Sequence, residues 1–202
     1  MNSIDALLAR PDVRRGGAAD RDEKLPTGFA ALDACLGGGW PSRGLIEVLH
    51  DEHGGGELSL FAPLCRALAA AGRQIVCVDP PFSPYAPALT RWSSPDQLML
   101  VETRTDTEGL WAAETCLRTG CGAVLCWLIR LTNRALRRLQ LAAEEGNALA
   151  LLFRPMRASQ QPSPAVLRLA VEPRSDVGVT VNLLKCRGRP PHRVHLPDPV
   201  FA

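Results

Sequence analysis

Apolar residues fall in short, nearly continuous runs along this chain, and segments of a different period separate them. Gly44-Leu45-Ile46-Glu47-Val48-Leu49 is such a run, and Gln74–Asp79, Gln97–Val101, Ala123–Ile129 and Ala148–Phe153 repeat the type. Unbroken runs of strand length are expected where both faces of a sheet are covered. The intervening segments carry helix signals. Glu57 to Ala71 reads as a helix closed by Gly72, and Ser83-Pro84 opens another to about Trp92. Thr105-x-x-Glu108 is a capping box for a helix ending near Gly120. Thr132 or Asn133 caps one that runs to Gly146. Strands alternating with helices predict βαβ units and a mainly parallel sheet flanked by helices.

The pattern changes at both ends. Residues 1–24 form an arm with one apolar stripe, Ile4, Leu7 and Leu8, followed by Pro11, Gly16-Gly17 and the mixed-charge run Asp20–Lys24. Such a stripe on so short a helix is useful only against another surface, its own core or a second subunit. After the polar loop 154–164, Leu167–Val171 and Val177–Leu184 read as strands joined by a turn at Pro173–Asp176, and His192–Leu196 as one more. This predicts an antiparallel extension at the C-terminal side. The domain reading is thus an arm (1–24), a core (25–187) and a basic, proline-rich tail (188–202) that is either a linear binding segment or an edge strand.

Composition fits one globular domain of 202 residues. Neither a spanning segment nor a secretion signal is read, and the seven cysteines contain no C-x-x-C pair. Small buried thiols in a reducing cytoplasm are expected. The net charge of +2 hides an asymmetry: residues 1–129 hold 11 Lys/Arg against 16 Asp/Glu, and residues 130–202 hold 12 against 5. Arg130, Arg134, Arg137 and Arg138 lie around the start of one helix, with Arg154 and Arg157 after the next strand. They are candidate contacts to nucleic acid or an acidic partner, or simply a solvated face. His50-x-x-His53 and His192-x-x-His195 hold zinc-type donors, but nothing in the sequence brings them together. Trp40, Trp92, Trp111 and Trp127 are read as core or interface packing.

The most specific segment spans residues 25–60. Thr27-Gly28, Leu32-Asp33, Leu36-Gly37-Gly38-Gly39, Pro41, Gly44 and Ile46-Glu47 occur in the order that opens the RecA-family core. The resemblance implies a RecA-like α/β fold with a phosphate loop after the first core strand. A working loop, G-x-x-x-x-G-K-[ST], needs a lysine to reach the phosphates. Here the turn contains Gly54, Gly55, Gly56 and Glu57, and the lysine position falls on Gly56 or Glu57. The place of the family's catalytic glutamate is taken by Asp79-Pro80-Pro81, and no acid closes the strand Cys126-Trp127-Leu128-Ile129. A degenerate phosphate loop, no catalytic residue, no cofactor and no metal are therefore expected.

Among RecA-like proteins, a short member without this lysine resembles the ImuA family, also described as SulA-like. Ala6-Leu7-Leu8-Ala9 with Arg14-Arg15-Gly16 is similar to that family's opening, although Arg14 stands where tryptophan is expected. The resemblance implies a non-catalytic accessory role in SOS-induced translesion DNA synthesis and mutagenesis. It implies a cytoplasmic protein, nucleoid-associated when engaged, whose partners are ImuB, an inactive Y-family polymerase homologue, with RecA, single-stranded DNA or a second copy in addition. The alternatives are a SulA-type inhibitor binding the tubulin-like division protein, and an active RecA-like ATPase.

Overall fold

The computed structural model describes residues 23–51, 56–82, 95–173 and 178–197. The arm residues Ile4, Leu7 and Leu8, the glycines Gly54 and Gly55, and the helix expected over Pro84–Trp92 lie outside these residues. In chain order the elements are β1 (Lys24–Leu25), α1 (Ala30–Leu36), β2 (Trp40–Pro41), β3 (Gly44–His50), α2 (Ala62–Ala70), β4 (Ile75–Val78) and β5 (Leu98–Val101). Then come α3 (Asp106–Arg118), β6 (Ala123–Cys126), α4 (Asn133–Glu145), β7 (Leu149–Pro155), β8 (Leu167–Pro173), β9 (Val179–Cys186) and β10 (His192–Leu196).

β1 and β2 form a small antiparallel pair. The other strands make one eight-stranded sheet in the order β10-β9-β8-β3-β7-β6-β4-β5. β3 pairs parallel with β7 and with β8, while β9 runs antiparallel to both β8 and β10. The predicted antiparallel extension is therefore present. It continues through His192–Leu196, so the sheet runs past residue 187, the expected end of the core. Doubly wound sheets of the dinucleotide-binding type place the first strand beside the second. Here the first long strand, β3, lies between two late ones.

Alternation along the strands divides the core between two faces. Ile46, Val48, Cys77, Leu125, Leu151 and Phe153 pack with Leu32 and Leu36 of α1 and Leu64 and Leu68 of α2. Leu45, Val76, Val124, Ala150 and Leu152 pack with Leu110, Ala113 and Leu117 of α3 and Leu136 and Leu139 of α4. An aromatic chain runs through the first face: Trp40 stacks on Phe61, Phe61 meets Phe153 edge-on, and Phe153 stacks on Trp127.

Two sequence expectations need correction. The helix expected from Glu57 starts only at Ala62, after a 3₁₀ turn over Ser59–Phe61. Pro63 explains this: without an N–H it suits the first turn of a helix and would break one already under way. The strand expected to reach Ile129 ends at Cys126. Both threonine caps are present, but the box at Thr105 is not closed reciprocally, because Glu108 Oε2 accepts from Arg104 N. Thr105 Oγ1 accepts from Glu108 N, and Thr132, not Asn133, caps α4 by accepting from Ala135 N. α1 was not anticipated. Its signals were Leu32 and Leu36 at i, i+4 and Gly37, which takes the left-handed cap conformation.

Candidate functional site

The residues that carry the family resemblance have local structural duties. Thr27 is buried. Its Oγ1 accepts from Phe29 N, and its own N–H donates to Asp33 Oδ1 at 2.8 Å, which fastens the entry to α1. Gly44 (φ +106) starts β3, where the Leu45 N–H donates to Gln140 Oε1 of α4. Glu47 stands in the middle of an otherwise apolar buried strand, and a charge there must be paired. Two arginines meet it. Arg154 Nη1 of β7 donates to Glu47 Oε1 at 2.8 Å, and Arg168 Nε of β8 lies 2.6 Å from Glu47 Oε2, close enough to pair though not aligned as a hydrogen bond. Arg154 also donates to Gln161 Oε1, and Arg168 to the carbonyls of Ala158 and Ser159, so the cluster ties down the turn after β7.

β3 ends at His50, and the chain is described again from Gly56. Gly56 has φ +89, and a Cβ there would run into Val179 of β9. Backbone conformation and close approach thus account for this glycine. The Glu57 side chain is buried. At the end of β4, Asp79 takes a left-handed conformation (φ 52). Its carboxylate accepts from Thr103 N and Thr103 Oγ1, each at 2.6 Å, which staples β4 to the segment between β5 and α3. A pocket of about 170 Å³ opens at these strand ends, lined by His50, Asp51, Asp79, Trp127, Phe153 and Arg154 among others. Its lining contains two carboxylates, and its arginine is the one held by Glu47.

Of the six arginines expected to face a partner, five are exposed. Arg134, Arg137 and Arg138 share one stripe of α4 with exposed Leu141, at i, i+3, i+4 and i+7. Arg130 precedes that helix. Arg157 sits in the turn Met156–Gln160, whose continuation is tied to α4 by Asn133 Nδ2 donating to Pro162 O. Arg138 Nη2 donates to Glu114 Oε2 of α3 at 2.6 Å, so its charge is partly offset. Arg154 is the correction. It is buried in its pair with Glu47, so it has no free surface for a phosphate. The sequence signal for this was Glu47 itself, an acid inside a strand that needs a cation from a neighbour.

Burial pushes the thiols of Cys65, Cys77, Cys121 and Cys126 up to about 12, so they stay protonated. Among the described residues no group of three or more His, Cys, Asp and Glu is placed to hold a metal ion. No helix among them is long and apolar enough to cross a membrane. Sequence reasoning also missed a basic cleft at the opposite end of β3, lined by Lys24, Arg43 and Arg187.

No protein-family model and no curated protein matches the sequence. Among solved structures, SulA from Pseudomonas aeruginosa is similar at 27% sequence identity, covering 55% of this chain and 97% of that chain, with a TM-score of 0.46. So partial a superposition leaves function to be argued from the residues themselves.

Proposed function

We propose that this chain is a non-catalytic, RecA-like accessory protein of damage-induced translesion DNA synthesis, which binds ImuB and uses the exposed arginines of α4 toward RecA or single-stranded DNA. The observation that carries the non-catalytic part is the pair Gly56 and Glu57: the place where the resemblance requires the phosphate-binding lysine falls on a glycine or on a buried carboxylate, and neither supplies a cation. A carboxylate beside phosphate oxygens repels them, most strongly where water is excluded. Two further features support the reading. Asp79, at the place of the catalytic glutamate, is engaged by Thr103. The pocket at the strand ends, about 170 Å³, is smaller than the ~300 Å³ at which ligand pockets usually begin. For the partner role, the support is the stripe of Arg134, Arg137 and Arg138, whose solvent face suits phosphates or an acidic protein surface.

Two measurements test this. Calorimetry with Mg-ATP at millimolar nucleotide should give no saturable heat. Saturable binding, or turnover abolished by changing Glu57, would overturn the non-catalytic reading. Co-purification with ImuB should be retained by the wild type and weakened by Arg134→Glu with Arg137→Glu. Arg138 is left intact in that variant because its reversal would set two carboxylates together at Glu114. Failure to bind ImuB, with retention of the tubulin-like division protein instead, would replace the proposal with the SulA-type alternative.

A further inference from the structure

Helices α3 and α4 lie side by side, and three contacts fix their register. Arg130 N donates to Asp106 Oδ2 at 3.0 Å, Arg138 Nη2 donates to Glu114 Oε2 at 2.6 Å, and Arg118 Nε donates to Glu145 Oε2 at 2.9 Å. The contacts advance together along both helices, which therefore run in the same direction. The first two join residues 24 apart in the chain, and on that offset Trp111 stands level with Ala135, between Arg134 and Arg138. Glu114 is buried at the seam, where Arg118 also approaches it, at 3.7 Å.

The helical period turns Leu110, Ala113 and Leu117 of α3 and Leu136 and Leu139 of α4 toward the core. From Trp111 to Leu117 the exposed positions of α3 are Trp111 and Thr115. From Arg134 to Leu141 those of α4 are Arg134, Arg137, Arg138 and Leu141. Trp111 is 66% exposed and Leu141 53%, although side chains of this size are ordinarily well covered in a fold. Leu141 lies about 9 Å further along the helix axis than Trp111. That is close to the span between i and i+7 on a helix laid against them. Tryptophan and arginine are also the residues that dominate interface energetics once a partner excludes water from them.

We infer that the seam of α3 and α4 is a docking surface for an acidic amphipathic helix of a partner protein, which sets two apolar side chains on Trp111 and Leu141 and its carboxylates on Arg134 and Arg137. The inference rests on the proposed partner role of the α4 arginines and narrows it to one class of partner. Charge complementarity selects an acidic one, because the exposed charges of the two helices between Trp111 and Leu141 are arginines. Leu141 selects a protein over a nucleic acid: a base could stack on Trp111, but a leucine beside the arginines offers a strand neither a charge nor a stacking face. Spacing selects a helix, which carries apolar residues along one face with carboxylates beside them.

The test is fluorescence anisotropy of a labelled synthetic helix added to the full chain, with leucines at i, i+3 and i+7 on one face and glutamates flanking them. Saturable binding that weakens with salt is expected. Trp111→Ala and Leu141→Ala should each weaken it about fivefold or more, the size of a hot-spot contact. Arg134→Gln with Arg137→Gln should weaken it by about as much. All four side chains are exposed, so thermal melting of the variants should match the wild type. A peptide whose leucines are changed to serine should bind about tenfold more weakly. Labelled oligothymidylate is the second probe. Absence of saturable peptide binding by the wild type overturns the inference, as does unchanged affinity in Trp111→Ala and Leu141→Ala or equal binding of the serine peptide. Oligothymidylate bound through Trp111 in place of the peptide assigns the face to nucleic acid and also overturns it. If Arg134→Gln with Arg137→Gln still weakens oligothymidylate binding in any of these cases, the inference alone falls and the proposed function stands. If that variant leaves both probes and ImuB retention unchanged, the partner role of the arginines falls with it.

Discussion

The two ends of β3 treat charge in opposite ways. From the middle of β3 toward its C-terminal end, charged groups pair inside the fold: Glu47 takes Arg154 and Arg168, and Asp79 takes both donors of Thr103. At the N-terminal end, Lys24, Arg43 and Arg187 stand exposed around a cleft. In open α/β sheets, ligands ordinarily sit at the carboxyl ends of the strands. Among the described residues of this protein that end holds ion pairs and staples, and exposed basic side chains stand at the other.

The contrast can be broken by mutation. The largest effect is expected from Glu47→Ala, which leaves two buried guanidinium groups without their counter-charge. A loss of ~3–5 kcal/mol in urea unfolding is expected, and a loss under 1 kcal/mol would mean that water or a rearrangement satisfies the arginines. Gly56→Ala comes next, at ~2–3 kcal/mol, from left-handed strain together with overlap on Val179. Combining it with Val179→Ala should restore the steric share and leave the backbone share. If the double variant is no better than the single, the close approach is not what demands glycine. Asp79→Asn should cost ~1–2 kcal/mol by weakening the two bonds from Thr103, and Thr103→Val should cost about as much without adding to it. A fully additive pair would show that the staple does not act as one unit. Smallest is Lys24→Gln with Arg187→Gln: both side chains are exposed, so stability should move by less than ~0.5 kcal/mol. A large stability loss there would make the lower end structural as well.

These expectations also mark what the sequence made readable. The strands were visible because each is a short apolar run ended by glycine, proline or a charged residue, and the Thr105 and Thr132 caps were visible because capping is local. The motif from Thr27 to Glu47 was recognisable as a pattern, yet its residues act chiefly in capping α1, turning the chain and neutralising a buried charge. Arg154 misled because its partner lies 107 residues earlier and only the pairing of β3 with β7 joins them. The lower cleft was illegible for the same reason: Lys24, Arg43, Glu144 and Arg187 share no window of sequence. The seven-residue α1 is too short for periodicity to declare it.

The position of β3 has a consequence for how the chain is made. Its parallel neighbours are Leu149–Pro155 and Leu167–Pro173, so an apolar strand synthesised early must wait until most of the protein has emerged before either side of it is covered. Contacts this distant in sequence slow folding, because loop closure has to come before the pairing that rewards it. A nascent chain stopped after α4 would expose both edges of β3, the kind of surface that chaperones hold and that aggregates seed from. Completion of the sheet is therefore a late event, and β7 is the strand that starts it.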